Sequence, residues 1–126
     1  STSDNFFGGI NSQLGYVDTG DVVTQLLRLD TFTGSGTGPF DITIPDNTGG
    51  RVMVTLYNSG TSATEMKVFP YVKRGGALSI GTATDTAFIT AATITSATSV
   101  SNNMRITPVT ASNNFIEAGV EMVKVT

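Results

Sequence analysis

The chain has 126 residues, of which 39% are apolar and 13% charged, with a net charge of −3 and neither cysteine nor histidine. This length fits one domain, and the missing residue types exclude a disulfide scaffold, a thiol nucleophile and histidine-based catalysis or metal binding. No stretch approaches the roughly 20 apolar residues that a transmembrane helix needs, so we expect no membrane span. The opening residues carry no signal-peptide pattern.

Residues 1–21 differ in character from the rest of the chain, because four glycines interrupt any hydrophobic period there. Ordering about 20 backbone residues costs on the order of 20–40 kcal/mol, whereas burial of the six apolar side chains in this stretch returns only about 9–18 kcal/mol. We therefore predict an extended amino-terminal arm at residues 1–21 that needs strand pairing or a partner's groove to become ordered. The alternatives are a frayed terminus and a first strand of the domain itself.

From residue 22 onward, apolar runs with strand-like alternation are separated by turn sequences. Residues 22–32 predict a strand, although their pattern also fits one short helix. A flexible, glycine-rich loop is expected at residues 34–39. Residues 40–44 and 51–57 then alternate strictly, and the side chains expected to share one face within each run are Phe40, Ile42 and Ile44, and Val52, Val54 and Leu56.

The second half of the chain predicts further strands at residues 63–72, 78–80, 87–96, 104–109, 115–116 and 120–125. Pro70 indicates a sheet edge or a β-bulge. Lys73, Arg74, Gly75 and Gly76 are typical of a hairpin tip, because glycine readily adopts positive φ angles. About eight short strands at roughly ten-residue spacing predict an all-β fold, an antiparallel β-sandwich or jelly-roll-like domain over residues 22–126.

No residue pattern singles out a catalytic or metal site. Glu117 and Glu121 flank Gly119, and their carboxyl groups could lie close together as the acid pair of a glycosidase. Such a pair needs one carboxyl group in an apolar pocket, and nothing in the sequence indicates that either residue is buried. Residues 18–21 and 46–48 are dense enough in oxygen ligands to consider for calcium, yet both fit ordinary Asx turns. The glycine-rich loop lacks the lysine and the following helix of a phosphate-binding loop. We therefore predict no enzymatic activity, no metal and no cofactor.

The basic and aromatic residues suggest two kinds of surface contact. Only Lys73 and Arg74 are adjacent among the seven basic residues, so no basic stripe predicts nucleic-acid binding. With Tyr71 nearby, these two residues either contact an acidic neighbour or simply solubilise the turn. Because sugar rings stack on aromatic faces, Tyr57 and Tyr71 are candidates for glycan binding, and alternation places Tyr57 on an outer face.

A small β domain with a glycine-interrupted arm, few charges, abundant Thr and Ser and no catalytic set resembles the capsid decoration (cement) proteins of tailed phages and similar virion accessory proteins. The resemblance lies in the overall character of the whole chain. It implies attachment to the surface of an assembled virion capsid, with the major capsid protein as partner and often as a homotrimer, and without nucleic acid or membrane. The partner-binding residues predicted in this way, together with the basic turn, are Phe6, Phe7, Ile10, Leu14, Tyr16, Lys73 and Arg74.

Two modes of binding follow from these expectations. In the decoration role, several modest arm contacts made together raise avidity, and an arm strand added to a neighbour's sheet edge gains main-chain hydrogen bonds. Removal of residues 1–14 should then abolish shell binding. The alternative is the glycan-binding head of a phage tail fibre or adhesin, with binding carried by the loops at residues 34–39, 58–62 and 101–103.

Overall fold

The computed structural model describes residues 13–14 and 27–125, and this part of the chain is built of β-strands without helices. The predicted all-β class is confirmed. Among these residues, no helix has the length and apolar character needed to cross a membrane. The strands are β1 (Gln13–Leu14), β2 (Leu27–Gly36), β3 (Phe40–Ile42), β4 (Thr48–Asn58), β5 (Ala63–Arg74), β6 (Ala77–Ile80), β7 (Asp85–Ile89), β8 (Ile94–Val100), β9 (Asn103–Pro108) and β10 (Asn114–Lys124).

The strands form two antiparallel sheets. The larger sheet has seven strands in the order β1-β2-β10-β4-β5-β6, with β7 also paired to β5, and the smaller sheet has the order β3-β9-β8. Buried apolar side chains from both sheets form one core. This arrangement confirms the predicted β-sandwich, whereas a jelly-roll strand order is not confirmed.

Strict alternation explains why these segments pair as half-buried strands. On β4, Val52, Val54 and Leu56 are fully buried while the residues between them face outward. The predicted core face of β3 is confirmed as well, because Phe40, Ile42 and Ile44 are all buried. Burial of each such side chain is worth about 1.5–3 kcal/mol. β10 contributes the remaining central row of the core, which consists of Ile116, Ala118, Val120 and Met122.

The single strand predicted at residues 87–96 is wrong. The structure has two strands there, β7 in the larger sheet and β8 in the smaller one, and Thr90 between them has a φ of 76°, in the left-handed region. Phe88 is therefore 57% exposed, whereas Ile94 is 3% exposed and belongs to the core. The alternation of apolar and polar residues runs on without a break through residues 87–96. It therefore does not reveal the point where the chain passes from the larger sheet to the smaller one, which only a tertiary contact marks.

The flexible loop predicted at residues 34–39 is also wrong over its first half, since β2 continues to Gly36 and Gly34 pairs with Ile116 of β10. A Cβ at Gly34 would lie 3.1 Å from Cδ1 of Phe40, so the absent side chain leaves room for this ring. The connection to β3 is then short and contains the cis peptide bond between Gly38 and Pro39.

Pro70 lies neither on an edge strand nor in a bulge, contrary to the sequence-based prediction. β5 has β4 on one side, and on its other side β7 pairs with its first half and β6 with its second half. Pro70 occupies the gap between β7 and β6, where its carbonyl accepts a hydrogen bond from the N–H of Gly81 at 2.8 Å. Proline is tolerated there because the neighbouring chain leaves the ladder at residues 82–84.

Two residues of the predicted arm are described. Gln13 and Leu14 pair antiparallel with Arg28 and Leu27 of the same chain, so at this point the chain lies along the domain's own sheet. The other predicted arm contacts, Phe6, Phe7, Ile10 and Tyr16, lie outside the described residues, and so does the calcium candidate at residues 18–21. Their role stays a prediction.

Candidate docking surface

At one end of the sandwich, the described segments that form the surface contain no charged residue, and we call this surface the uncharged end. Strand register brings it together, because Asn114 at the start of β10 lies between Gly36 of β2 and Asn58 of β4, and Asn58 pairs with Ala63 of β5. The segments that meet there contain no Asp, Glu, Lys or Arg: they are residues 33–40, 56–64, 86–97 and 106–116.

Asn58 and Asn114 hold the loops of the uncharged end from within. Both side chains are 1% exposed. The amide of Asn58 donates to Oδ1 of Asn114 at 2.9 Å and to the carbonyl of Ser112 at 2.8 Å, and its own Oδ1 accepts the N–H groups of Gly60 and Thr61, each at 3.0 Å. Each bond satisfies a polar group that burial would otherwise leave unpaired.

The amide of Asn114 completes this network. It donates to the carbonyl of Thr110 at 2.8 Å and to that of Gly36 at 3.1 Å. Three loops, at residues 37–39, 59–62 and 109–113, are therefore tied to one buried pair of amides. The sequence indicated only turns at these positions, and the identical residues at the ends of two strands were the signal that could have suggested a cross-strand pair.

A buried carboxylate fixes the fourth segment of this end. Glu65 is 2% exposed and accepts the N–H groups of Thr93 at 2.9 Å and Ile94 at 2.8 Å. The hydroxyl of Thr93 donates to the carbonyl of Leu56 at 2.9 Å, and Nζ of Lys67 lies 3.8 Å from the carboxylate of Glu65. Sequence reasoning did not single out Glu65, which alternates in phase with the buried residues of β5. Its contacts give it a structural role.

Large apolar side chains are exposed mainly around the uncharged end. Among the described residues, six large apolar side chains are exposed. Of these six, only Val72 lies near the opposite end of the sandwich, where it pairs with Gly49 of β4. The others are Tyr57, Phe88, Ile89, Val109 and Phe115. Such concentration of exposed apolar groups marks an interaction surface more often than scattered ones do.

The centre of this surface is a row across four strands on the outer face of the larger sheet. Phe115 pairs with Tyr57, Tyr57 with Thr64, and Thr64 with Ile89. The rings of Tyr57 and Phe115 stack with centroids 6.2 Å apart. The outward orientation predicted for Tyr57 is confirmed, whereas Phe115 was missed as a surface residue although alternation places it opposite the buried Ile116.

The uncharged end is suited to binding because its surface is both inexpensive to dehydrate and held in place. Transferring charged groups out of water is far more costly than transferring apolar or hydroxyl groups, and the four segments that form this surface contain no charged residue. Loops that are already fixed by buried hydrogen bonds lose less conformational entropy when a partner binds. The geometry therefore fits docking of an uncharged partner surface.

The opposite end contains the predicted basic turn. The hairpin tip is confirmed, with Gly75 and Gly76 at positive φ, and their N–H groups donate to the side chains of Asn47 at 3.2 Å and Asp46 at 2.8 Å. Lys73 is half-buried and donates from Nζ to the carbonyl of Ile44 at 2.8 Å. Lys73 is therefore engaged inside its own domain, and Arg74 is the exposed member of the predicted pair.

Tyr71 is not available as a binding platform, and that part of the glycan hypothesis is wrong. Its side chain is buried, and its hydroxyl hydrogen-bonds with the hydroxyl of Thr48 at 2.9 Å. Burial raises the pKa of Tyr71, an effect that the hydrogen bond to Thr48 partly opposes. Alternation along β5 places Tyr71 on the same inner face as Phe69.

The three loops of the glycan hypothesis do not converge. Residues 34–39 and 58–62 lie at the uncharged end, whereas residues 101–103 lie at the opposite end. There Oδ1 of Asn103 accepts the N–H of Ile44 at 3.2 Å, and Oδ1 of Asn102 accepts that of Leu78 at 3.4 Å. The three loops therefore do not form one compact binding site.

The carboxylates considered for catalysis and calcium are separated or occupied. Glu117 and Glu121 lie four residues apart on β10, about 13 Å at the rise of a strand, and Oε1 of Glu121 lies 2.6 Å from Nε of Arg51. Oδ1 of Asp46 accepts two N–H groups, from Asn47 and Gly76. In the described part of the chain, no group of three Asp, Glu, His or Cys residues is placed to hold a metal ion.

The sequence matches no protein-family model, and no curated protein matches it. Among solved structures, the chain is similar to the tailspike protein of Acinetobacter phage vB_ApiP_P1, with a TM-score of 0.47 and 14% sequence identity over 98% of this chain. The chain spans 25% of the length of that tailspike chain.

Proposed function

We propose that this protein is a non-catalytic structural component of a phage virion, which binds the outside of the assembled capsid through the uncharged end. The observation that carries the proposal is the row formed by Phe115, Tyr57 and Ile89, which lies in segments that contain no charged residue. This surface fits the uncharged, apolar core that stable protein interfaces share.

The aromatic pair is the expected energetic centre of the contact. Tyr and other aromatic side chains bury a large area with little loss of rotamer freedom, and they are enriched among residues that dominate binding. Tyr57 and Phe115 lie side by side on paired strands, so a partner can cover both at once. Serine and threonine beside them, at Ser35 and Thr64, add hydroxyls that can hydrogen-bond to a partner's backbone.

The amino-terminal arm is the second proposed contact with the major capsid protein. Gln13 and Leu14 pair with β2, so the arm proper is best tested by removing residues 1–12, which leaves β1 intact. Extended, twelve residues reach roughly 40 Å. Contacts of the arm and of the uncharged end would add by avidity.

The proposal is tested by sedimentation of the full chain with undecorated shells assembled from the major capsid protein of the source phage. Phe115→Ser should reduce shell binding at least tenfold, because it removes half of the aromatic pair. Val72→Ser is the matched control, since Val72 is 43% exposed but lies away from the uncharged end, and it should bind as the wild type does. Wild-type binding by Phe115→Ser, with circular dichroism unchanged for both variants, would refute the role of this surface.

A second candidate function, glycan binding, is favoured by one observation: the stacked rings of Tyr57 and Phe115 are both exposed, as a sugar-stacking platform requires. In this role the protein would form the head of a tail fibre or adhesin. A glycan array and the shell sedimentation assay distinguish the two functions. Binding to shells without binding to glycans supports capsid attachment, and the reverse result supports the recognition role.

A further inference from the structure

β7 is an exposed edge of the larger sheet. All five of its residues are exposed, with Phe88 at 57% and Ile89 at 72%. One side of β7 pairs with β5, and no strand in the described part of the chain pairs with its other side. An edge of this kind presents unpaired N–H and C=O groups.

The hydrogen bonds around β5 show which backbone groups of β7 point outward. The carbonyls of Val68 and Pro70 accept N–H groups from the β7–β6 side, so even-numbered residues of β5 direct their backbone groups to that side. Residues 85, 87 and 89 of β7 face these positions and bond to β5. Thr86 and Phe88 therefore direct their N–H and C=O groups to the open edge.

β7 has few of the features that protect sheet edges from pairing, since its one charged residue, Asp85, lies at the first position of this short strand. Edge strands are usually shielded by lysine, proline, a bulge or a covering segment. β7 reads Asp-Thr-Ala-Phe-Ile and contains neither lysine nor proline, and its pairing has no register shift. By contrast, β8 at the edge of the smaller sheet carries a register shift between Ile94 and Ser96.

We propose that β7 is a self-association site, which pairs antiparallel with β7 of a second copy of this chain about a two-fold axis through Ala87. In this register, Thr86 of each copy faces Phe88 of the other, so the outward backbone groups form four hydrogen bonds. The two Ala87 side chains meet at the axis, where directly opposed residues without hydrogen bonds approach most closely. Asp85 faces Ile89 of the other copy, so no like charges are opposed.

Because β7 is complementary to itself in this register, the strand that pairs with its open side is β7 of a second copy. The larger sheets of two copies become one continuous sheet, and Phe88 of each copy packs beside Thr86 of the other. A five-residue strand pair buries less than the roughly 1,200 Å² of a standard interface, so the expected dimer is concentration-dependent. A two-fold axis gives a dimer, which differs from the homotrimer implied by the resemblance to decoration proteins.

The experiment is sedimentation equilibrium of the full chain and of charge variants at the axis. Ala87→Lys or Ala87→Glu places like charges opposite each other, so each variant alone should be monomeric at concentrations where the wild type is dimeric. An equimolar mixture of the two variants should form dimers again, because Lys and Glu then face each other. Thr98→Lys and Thr98→Glu on β8 are the matched controls and should dimerise as the wild type does.

Several outcomes would overturn the proposal. A wild type that remains monomeric up to millimolar concentration, or forms trimers, contradicts the two-fold axis. Dimers of either single variant, or a mixture that stays monomeric while both variants retain the wild-type circular dichroism spectrum, contradict the register. The inference does not depend on capsid binding, since shell sedimentation of Phe115→Ser and self-association of the Ala87 variants are measured separately.

Discussion

At the uncharged end, buried Asn58 and Asn114 hold three loops, and at the opposite end Asn47, Asn102 and Asn103 hold turns through the same kind of side chain-to-backbone bond. The two ends differ in burial and charge. Asn58 and Asn114 are almost completely buried, whereas the amides of the opposite end are half-buried or exposed and lie among Asp46, Lys73 and Arg74.

The difference shows that the same asparagine-to-backbone hydrogen bond can support two kinds of surface. Fixing loops from inside leaves the surface of the uncharged end to aromatic and hydroxyl side chains, whose dehydration is inexpensive. Fixing turns from outside, with charged neighbours, leaves a well-hydrated surface at the opposite end. The proposed binding surface is therefore the uncharged end, and four predictions test how far this contrast holds.

The largest effect is expected from Asn58→Ala. The change leaves the carbonyl of Ser112, Oδ1 of Asn114 and two loop N–H groups without partners, which should lower the free energy of unfolding by about 3 kcal/mol. Asn103→Ala at the opposite end loses one bond to a half-buried N–H and should cost about 1 kcal/mol. Urea unfolding measures both, and equal losses would remove the energetic distinction between the two ends.

Glu65→Leu should be nearly as damaging, because it leaves the N–H groups of Thr93 and Ile94 buried without an acceptor. We expect a loss of about 2–3 kcal/mol in the free energy of unfolding. Glu65→Gln keeps an acceptor oxygen and should lose clearly less, as measured by the same urea unfolding. A Gln variant as unstable as the Leu variant would show that the charge near Lys67, rather than the acceptor, is what matters.

A smaller effect is expected at the basic turn. Lys73→Met removes the bond to the carbonyl of Ile44 and should destabilise the domain by about 1 kcal/mol, whereas Arg74→Ser should change stability by less than about 0.5 kcal/mol. Thermal unfolding of the two variants provides the comparison. If Arg74→Ser alone abolishes shell binding, the opposite end takes part in docking and the contrast between the ends fails.

The smallest effect concerns pH. Arg105 hydrogen-bonds to Asp41 at 2.8 Å and holds the pKa of this carboxyl below its ordinary value, against a small opposing effect of burial. A lowered pKa in the folded state means that the stabilisation is complete above about pH 4, the unfolded value, and is lost as the pH falls through the folded value.

Thermal midpoints of the wild type and Asp41→Asn against pH measure this contribution. The difference between the two proteins should be small, should narrow below about pH 4 and should shrink with salt, since the pair is exposed. Arg105→Gln should show the same loss. A difference that widens in acid would contradict the assigned direction of the pKa.

The residue pattern predicted those features of the fold that depend only on residues close together in sequence. The strict alternation of residues 40–44 and 51–57 predicted buried faces that the structure confirms, because side chains of a strand point alternately to its two faces. The tip at Gly75 and Gly76 was predictable from the positive φ angles that glycine permits. Tyr57 could be placed on an outer face for the same reason.

Contacts between distant residues decided what these patterns could not. After Ile89 the chain passes from the larger sheet to the smaller one. This passage depends on the carboxylate of Glu65, which accepts the N–H of Thr93 from 28 residues away in sequence. The burial of Tyr71 depends on the phase of β5 against the smaller sheet, and the engagement of Lys73 depends on a carbonyl of the segment after β3.

By itself, therefore, the sequence determined the all-β class, most strand faces, the position of the basic turn and the low charge of the chain. Each of these follows from the types of residue present or from the two-residue repeat of side-chain direction along a strand. Only the tertiary structure decided that four uncharged segments meet at one end, that the buried Asn58 and Asn114 hydrogen-bond its loops and that no described strand pairs with the outer side of β7. These features arise from strand order, and strand order is set by the pairing of segments far apart in sequence, on which local spacing carries no information.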